Sequence, residues 1–320
     1  MKKVVCIGEM LIDFVSTDIG TNLVEAEQFL KKPGGAPANV AACVAKLGGI
    51  SYFAGAVGND PFGTSLINEL IDFNVNIEYV HKVTTPTTLA FISLAQNGER
   101  DFVFNRGADA EFTLPHNQTS LLLENSILHL GSATALLGSH LFESYLTAAK
   151  YAHDNKHFIC FDPNYREDLW NDNLDVFIQR SMQLIEMANF VKVSEEELAL
   201  LTEEQDLAKG CDYLHTKGVN YITVTIGSRG CFLSTPTEKS IIPAYEITPV
   251  DTTGAGDSFI GAVLYQLSQA NLSELTYAEL AGYVQLGNKV SGVVCEYLGP
   301  MTGLTDFASI QKLDKALKAA

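Results

Sequence analysis

Residues 251–257 read Asp251-Thr252-Thr253-Gly254-Ala255-Gly256-Asp257, and Phe259, Ile260, Val263, Leu264 and Leu267 follow at helical spacing, so the glycines open a helix. Backbone N–H groups of Gly254, Ala255 and Gly256 then lack partners inside the helix, and the helix dipole adds positive potential, which makes an anion site. Asp257 runs against that preference, because a carboxylate repels a phosphate. One reason for its presence is a base that takes the proton from an attacking hydroxyl. The other is a first-turn acid that only complements the dipole.

Further residues with usable chemistry stand at other segment ends. Gly34-Gly35-Ala36-Pro37-Ala38-Asn39 precedes a helix, with Pro37 near its first position and Gly48-Gly49 beyond its end. The Gly pair permits close backbone approach, and the Asn39 amide offers an acceptor and two donor hydrogens to sugar hydroxyls. Asp13 follows the first strand, where a short acid accepts two polyol hydrogens. Asp162-Pro163-Asn164-Tyr165-Arg166 follows another, and its arginine either meets the substrate or pairs with Glu167 or Asp168. Ser194-Glu195-Glu196-Glu197 begins a helix, where acids are ordinary dipole partners. Thr225-Ile226-Gly227-Ser228-Arg229-Gly230 closes a strand with a glycine turn suited to a nucleotide. Gly55-Ala56-Val57-Gly58-Asn59-Asp60-Pro61-Phe62-Gly63 is neither a Walker loop nor a dinucleotide fingerprint.

The elements that position these residues alternate. Val4–Ile7, Tyr52–Val57, Ile127–Leu130, Phe158–Phe161, Phe190–Val193 and Tyr221–Thr225 are short apolar runs. Helical patterns lie at 37–47, 61–72, 138–154, 174–188, 195–201 and 205–217, and again from 257 and from 276. This order implies parallel strands joined by helical crossovers, with helices on both faces of the sheet. Leu89–Ala95 and Arg100–Arg106 break the rhythm as β-rich runs around Gln96-Asn97-Gly98-Glu99, a hairpin signal. Phe102, Phe104 and Arg106 share a face of the second run. The pieces 11–17 and 23–30 are expected to pair with this hairpin as a small sheet acting as a lid.

Composition narrows the class. With 320 residues and 47% hydrophobic content the chain buries a large core, and 38 acidic against 21 basic residues give −17, which disfavours nucleic acid and anionic membrane as partners. No apolar run reaches the roughly 18 to 20 residues of a span, and Met1-Lys2-Lys3-Val4 opens no cleavage pattern, so a cytoplasmic protein is expected. Cys6, Cys43, Cys160, Cys211, Cys231 and Cys295 form no close pair, which fits reduced core thiols.

Taken together, Gly34-Gly35-x-x-x-Asn39, Gly55-x-x-Gly58-x-Asp60-x-x-Gly63 and Asp251-Thr252-x-Gly254-Ala255-Gly256-Asp257 resemble the two signature regions of the ribokinase, or PfkB, family of carbohydrate kinases, and the resemblance covers essentially the whole chain. It implies an α/β, ribokinase-like three-layer fold: a mostly parallel central sheet flanked by helices, as a single domain 1–320, with lid insertions at approximately 11–32 and 86–108. It also implies ATP with Mg2+ and a sugar acceptor. In that pattern Asp257 is the base and Gly254, Ala255 and Gly256 the anion hole. Asp13, Gly34, Gly35, Asn39, Arg106 and Arg166 take the sugar. Ser194, Thr225, Gly227, Ser228, Gly230, Gly256 and Asn288 take the nucleotide. Glu197 organises water around magnesium, and Asp251 and Thr253 match positions that hold a monovalent cation, so activation by K+ is part of the resemblance. Ser194 stands where the family has asparagine, as in fructokinase-like members.

Gly8-Glu9-Met10-Leu11-Ile12-Asp13-Phe14, Arg106 and Asp162-Pro163-Asn164-Tyr165-Arg166 resemble fructokinases and also 2-keto-3-deoxygluconate kinases. The expectation is transfer from ATP to D-fructose, at the 6-hydroxyl, with 2-keto-3-deoxygluconate as the rival acceptor. A dinucleotide-dependent oxidoreductase lacks its fingerprint after the first strand, and a noncatalytic sugar-binding protein leaves Asp257 unexplained. Exposed lid edges would allow a homodimer.

Overall fold

The computed structural model describes residues 1–18, 20–94, 100–170 and 173–317. Its larger sheet has nine strands in the order β13-β12-β11-β10-β9-β8-β1-β4-β5. They are β1 (Lys3–Ile7), β4 (Ser51–Gly58), β5 (Asn76–Val83), β8 (Ser126–Leu130), β9 (Phe158–Phe161), β10 (Phe190–Ser194), β11 (Tyr221–Thr225), β12 (Cys231–Ser234) and β13 (Lys239–Ile242). Pairing is parallel from β5 to β11, and the last two strands add antiparallel. The expected fold class is therefore observed.

Covering both faces explains why β8 and β9 are buried at every position, with Ser126 and His129 the polar exceptions in otherwise apolar strands. One layer holds α1 (Ala36–Lys46), α2 (Pro61–Asp72), α9 (Ala255–Gln269), α10 (Tyr277–Cys295) and α11 (Phe307–Leu317). The other holds α3 (His116–Leu123), α4 (Ser139–Asp154), α5 (Glu167–Trp170), α6 (Leu174–Ile185), α7 (Glu195–Thr202) and α8 (Leu207–Thr216). All six cysteines are free and buried in this body, as expected. No helix of the described residues is long and apolar enough to cross a membrane.

A second sheet has the order β3-β2-β6-β7, from β2 (Leu11–Ser16), β3 (Phe29–Gly34), β6 (Leu89–Leu94) and β7 (Arg100–Asn105). The hairpin pairs from Leu89↔Asn105 to Leu94↔Arg100, while its Asn-Gly turn lies outside the described residues. β2 runs parallel to β6 and antiparallel to β3. The third strand begins at Phe29 rather than Leu23, which corrects the expectation for 23–30. Asn22 caps a turn by accepting from the Val24 and Glu25 N–H groups, and Asp18 accepts from Glu27 and Gln28, so extended pairing starts only after them.

Loops at the carboxyl ends of β1, β8, β9 and β10 face the starts of α1 and α9, and the residues with chemistry gather there.

Candidate active site

The N-cap of α9 is Gly254, which is left-handed at φ 78°, and no side chain caps the first turn. A Cβ at Gly254 would stand 2.5 Å from Pro300 Cβ, so only glycine lets the 251–254 turn lie against the 299–300 segment. Asp251 fixes the same junction, accepting from Gly299 N–H at 2.8 Å and from the Thr253 N–H and hydroxyl at 2.9 and 2.6 Å. The Ala255 N–H turns back to Thr252 O at 3.2 Å, which commits one of the three expected anion-hole amides to the turn itself.

Asp257 lies in that first turn and meets the start of α1. Asn39, itself buried, donates through Nδ2 to Asp257 Oδ2 at 2.7 Å, while its Oδ1 is buried with no hydrogen-bond partner among the described residues. Burial pushes the Asp257 carboxyl above the usual carboxylate range, against the Asn39 hydrogen bond and the charges of Arg166 and Lys192. Asp13 is pushed up to about 7 by burial, with Arg166 opposing the rise and Asp257 adding to it. A Cβ at Gly34 would fall 2.2 Å from Asp13 Oδ2, and one at Gly35, φ 106°, 2.5 Å from Glu9 O. The glycine pair thus admits the Asp13 carboxylate and the backbone of residue 9. Asp13, Gly34, Gly35, Asn39, Arg166 and Asp257 form one group, with Arg166 exposed at its mouth.

The residues expected to take the nucleotide form a second group. Thr225 ends β11, Gly227, at φ 58°, and exposed Ser228 make a single 3-10 turn, and Gly230 leads into β12. A Cβ at Gly230 would meet Ile242 O at 2.2 Å, and Asn288 donates through Nδ2 to Ile242 O and Pro243 O, both at 2.9 Å. The structure therefore joins Gly230 to Asn288 through the end of β13.

Ser194 and Glu197 form a capping box at α7, and each Glu197 carboxylate oxygen accepts a backbone N–H, from Tyr165 and from Ser194, both at 2.7 Å. Each oxygen keeps a further lone pair. That geometry suits a water held between Glu197 and a metal better than direct ligation. No group of three or more His, Cys, Asp or Glu side chains is placed as a metal cage among the described residues, so a magnesium ion here would rely on phosphate oxygens and water, as it usually does.

Arg106 has polar partners in the body of the protein. Its Nε meets buried Asp109 Oδ2 at 3.1 Å and its Nη2 reaches Gly138 O and Ser139 Oγ, both at 3.1 Å, so it ties the hairpin to the body. Phe102 and Phe104 do stack on one face, 6.1 Å apart, as expected. Asp60 of the glycine-rich segment is likewise a tie: it caps α2 through Gly63 N–H and accepts from Thr87 N–H and hydroxyl, each at 2.8 Å, just before β6.

Two buried groups escaped the sequence reading. Lys192 pairs with Asp162 at 2.9 Å. Glu9 accepts from Ala36 N–H at 3.2 Å, Ala133 N–H at 3.3 Å and the Ser132 hydroxyl, and burial pushes it up to about 7. Glu9 thereby fixes the start of α1, which carries Asn39.

An uncapped helix start facing a buried carboxylate and a polyol-sized set of polar groups defines a phosphotransferase of the ribokinase-like class. The pfkB family carbohydrate kinase model matches residues 1–306, and the chain belongs to that family. It is 36% identical to probable fructokinase-5 of Arabidopsis thaliana over 98% of this chain and 97% of that protein. Fructokinase-2 of Zea mays is 35% identical, over 97% and 93%. Among solved structures, a Vibrio cholerae fructokinase bound to fructose, ADP and calcium ion superposes with TM-score 0.84 at 29% identity over 98% of both chains. A fructokinase with bound ATP from Xylella fastidiosa gives 0.88 at 26%, over 99% of both.

Proposed function

We propose that this protein is an ATP-dependent fructokinase that transfers the γ-phosphoryl group of ATP to the 6-hydroxyl of D-fructose. The observation that carries the reading is Asn39: its Nδ2 orients Asp257 at 2.7 Å while its buried Oδ1 lacks a partner, so the same amide is set to orient an acceptor hydroxyl beside the base. Full-length similarity to fructokinases supports fructose as that acceptor.

In this reading Asp13 and Asn39 hold the sugar hydroxyls. The attacking oxygen gives its proton to Asp257 as it bonds to phosphorus, the bond from phosphorus to the bridging oxygen breaks, and ADP leaves. Amides at the start of α9 hold charge on the transferring group, because they are already oriented toward it. Mg2+ bound with the phosphates would supply charge neutralisation there, and Glu197 is the residue that would hold its water. Thr225, Gly227, Ser228, Gly230 and Asn288 seat the nucleotide. Asp251 accepts from Thr253 and Gly299, which fixes this junction, and activation by K+ would use its backbone carbonyls as well as side chains.

The small sheet serves as the lid. Val15 and Leu30, paired across β2 and β3 on the Asp13 face, are about two-fifths exposed, at 38% and 40%, which supports a homodimer that covers this apolar face. The protein is assigned to the cytoplasm on its buried free thiols.

Coupled ADP release from ATP with fructose, ribose and 2-keto-3-deoxygluconate, with and without K+, tests the assignment. Fructose is expected to give the highest kcat/KM. Preference for 2-keto-3-deoxygluconate would transfer the acceptor role to an acid sugar whose carboxylate Arg166 pairs.

A further inference from the structure

We propose that Lys192 is a catalytic residue whose ammonium group, seated against the first turn of α9, holds the transferring phosphoryl group in the transition state. The proposal rests on the kinase reading above and adds a residue to it.

Lys192 lies on the central strand β10 between the fully buried Val191 and Val193, and is itself buried. A lysine in such a place is costly unless its charge is answered. Asp162 answers it at 2.9 Å, from the loop after the adjacent strand β9. Burial works against the charge, but Asp162, Glu197 and Asp257 together more than offset it and hold Lys192 in its charged form.

The position of the charge is the second observation. An ideal Cβ at Gly256 would stand 3.2 Å from Lys192 Nζ and 3.7 Å from its Cε, and among the described residues no other heavy atom outside its own helix turn comes within 4 Å of that point. The ammonium group therefore faces Gly256 directly, under the amides that receive an anion. Gly256, lacking a side chain, is what permits the approach.

Charge balance points the same way. Asp162, Glu197 and Asp257 surround Lys192, and the one other cation acting on Asp257, Arg166, is exposed, so Lys192 is the buried cation of this cluster before a nucleotide brings more negative charge. An ammonium group has three donor hydrogens, and Asp162 is its one hydrogen-bond partner among the described residues. A fixed cation with donors to spare, beneath the amides and beside the base, stabilises charge that spreads over the phosphoryl oxygens during transfer. The bland alternative is that Lys192 only neutralises Asp162.

Two variants separate these roles. Lys192→Met removes the cation and strands Asp162. Lys192→Met combined with Asp162→Asn removes the pair together, so that Asp162 is not left as an unpaired charge. In both, kcat with fructose and MgATP is expected to fall about 10²- to 10³-fold. Affinity for ADP–aluminium fluoride with fructose, a mimic of the transferring group, should fall by a similar factor, while affinity for ADP alone stays within about threefold, since charge on the group in transit is what the cation meets. Recovery of wild-type kcat in the double variant would overturn the proposal, as would an equal loss for ADP and ADP–aluminium fluoride. Wild-type turnover with fructose, measured alongside, separates this outcome from a failure of the fructokinase reading.

Discussion

Asn39 and Asp257 are 218 residues apart in sequence, and the 2.7 Å hydrogen bond between them locks the first turn of α1 to the first turn of α9. One end of the bond belongs to the residue proposed to hold the sugar and the other to the proposed base. The bond also acts on proton affinity, because a donor to the charged form holds a carboxyl down. Replacing Asn39 with Leu removes that restraint, so the Asp257 pKa rises further. Since Asp257 must be unprotonated to accept a proton, activity is lost as pH falls through its pKa. The acid limb of the kcat/KM profile should therefore move to higher pH in Asn39→Leu, read from initial rates across pH. An unmoved limb would separate Asn39 from the base.

Asp13 carries a stability cost that can be measured. Its carboxyl is raised from an ordinary 3.8 to about 7 by burial. Between those values the folded protein holds more protons than the unfolded chain, so stability falls as pH rises from about 4 to about 7 and stays lower above. Asp13→Asn removes that dependence. At pH 8 it should be more stable by about 1–3 kcal/mol in urea denaturation, and its fructose KM should rise at least about tenfold.

How much of this was legible in the sequence depends on the range of the signal. The 251–257 motif and its amphipathic sequel are local, and α9 begins at Ala255 where the glycines place it. Alternating β-rich runs gave away the hairpin for the same reason. Strand β5 was missed because it mixes exposed and half-buried positions and so lacks a continuous apolar run. The antiparallel pair β12 and β13 is only four residues per strand, too short for a period to show. Lys192 illustrates the deeper limit. A lysine in a strand reads as a solvated side chain, and only the register Val191↔Phe161 between β10 and β9 brings it beside Asp162. Glu9 is similar, since Ala36 and Ser132 reach it from distant parts of the chain.

Gly254 offers a steric test. Its φ of 78° and the 2.5 Å approach to Pro300 leave no room for a methyl group. Gly254→Ala should lower stability by about 1–3 kcal/mol and depress kcat, because the amides proposed to receive the phosphoryl group shift with the turn. Thermal melting and turnover, measured on the same preparation, would show both losses; a variant with unchanged melting would mean that the turn relaxes freely.

Arg106 is engaged through Nε and Nη2, and its partner Asp109 is fully buried. Arg106→Gln leaves that acid without its cation and is expected to cost about 2–3 kcal/mol, somewhat below the loss for a fully buried pair because the arginine is partly exposed. The midpoint of urea denaturation without any ligand checks this, and a midpoint unchanged from wild type would show that the Arg106–Asp109 pair does not hold the fold.

The central claim concerns the carboxylate at the start of α9. Asp257→Asn preserves shape and removes the base, so coupled ADP release with saturating fructose and MgATP should show kcat lowered about 10²- to 10⁴-fold with melting temperature close to wild type. Wild-type turnover in that variant would contradict the assignment of Asp257 as the group that accepts the proton.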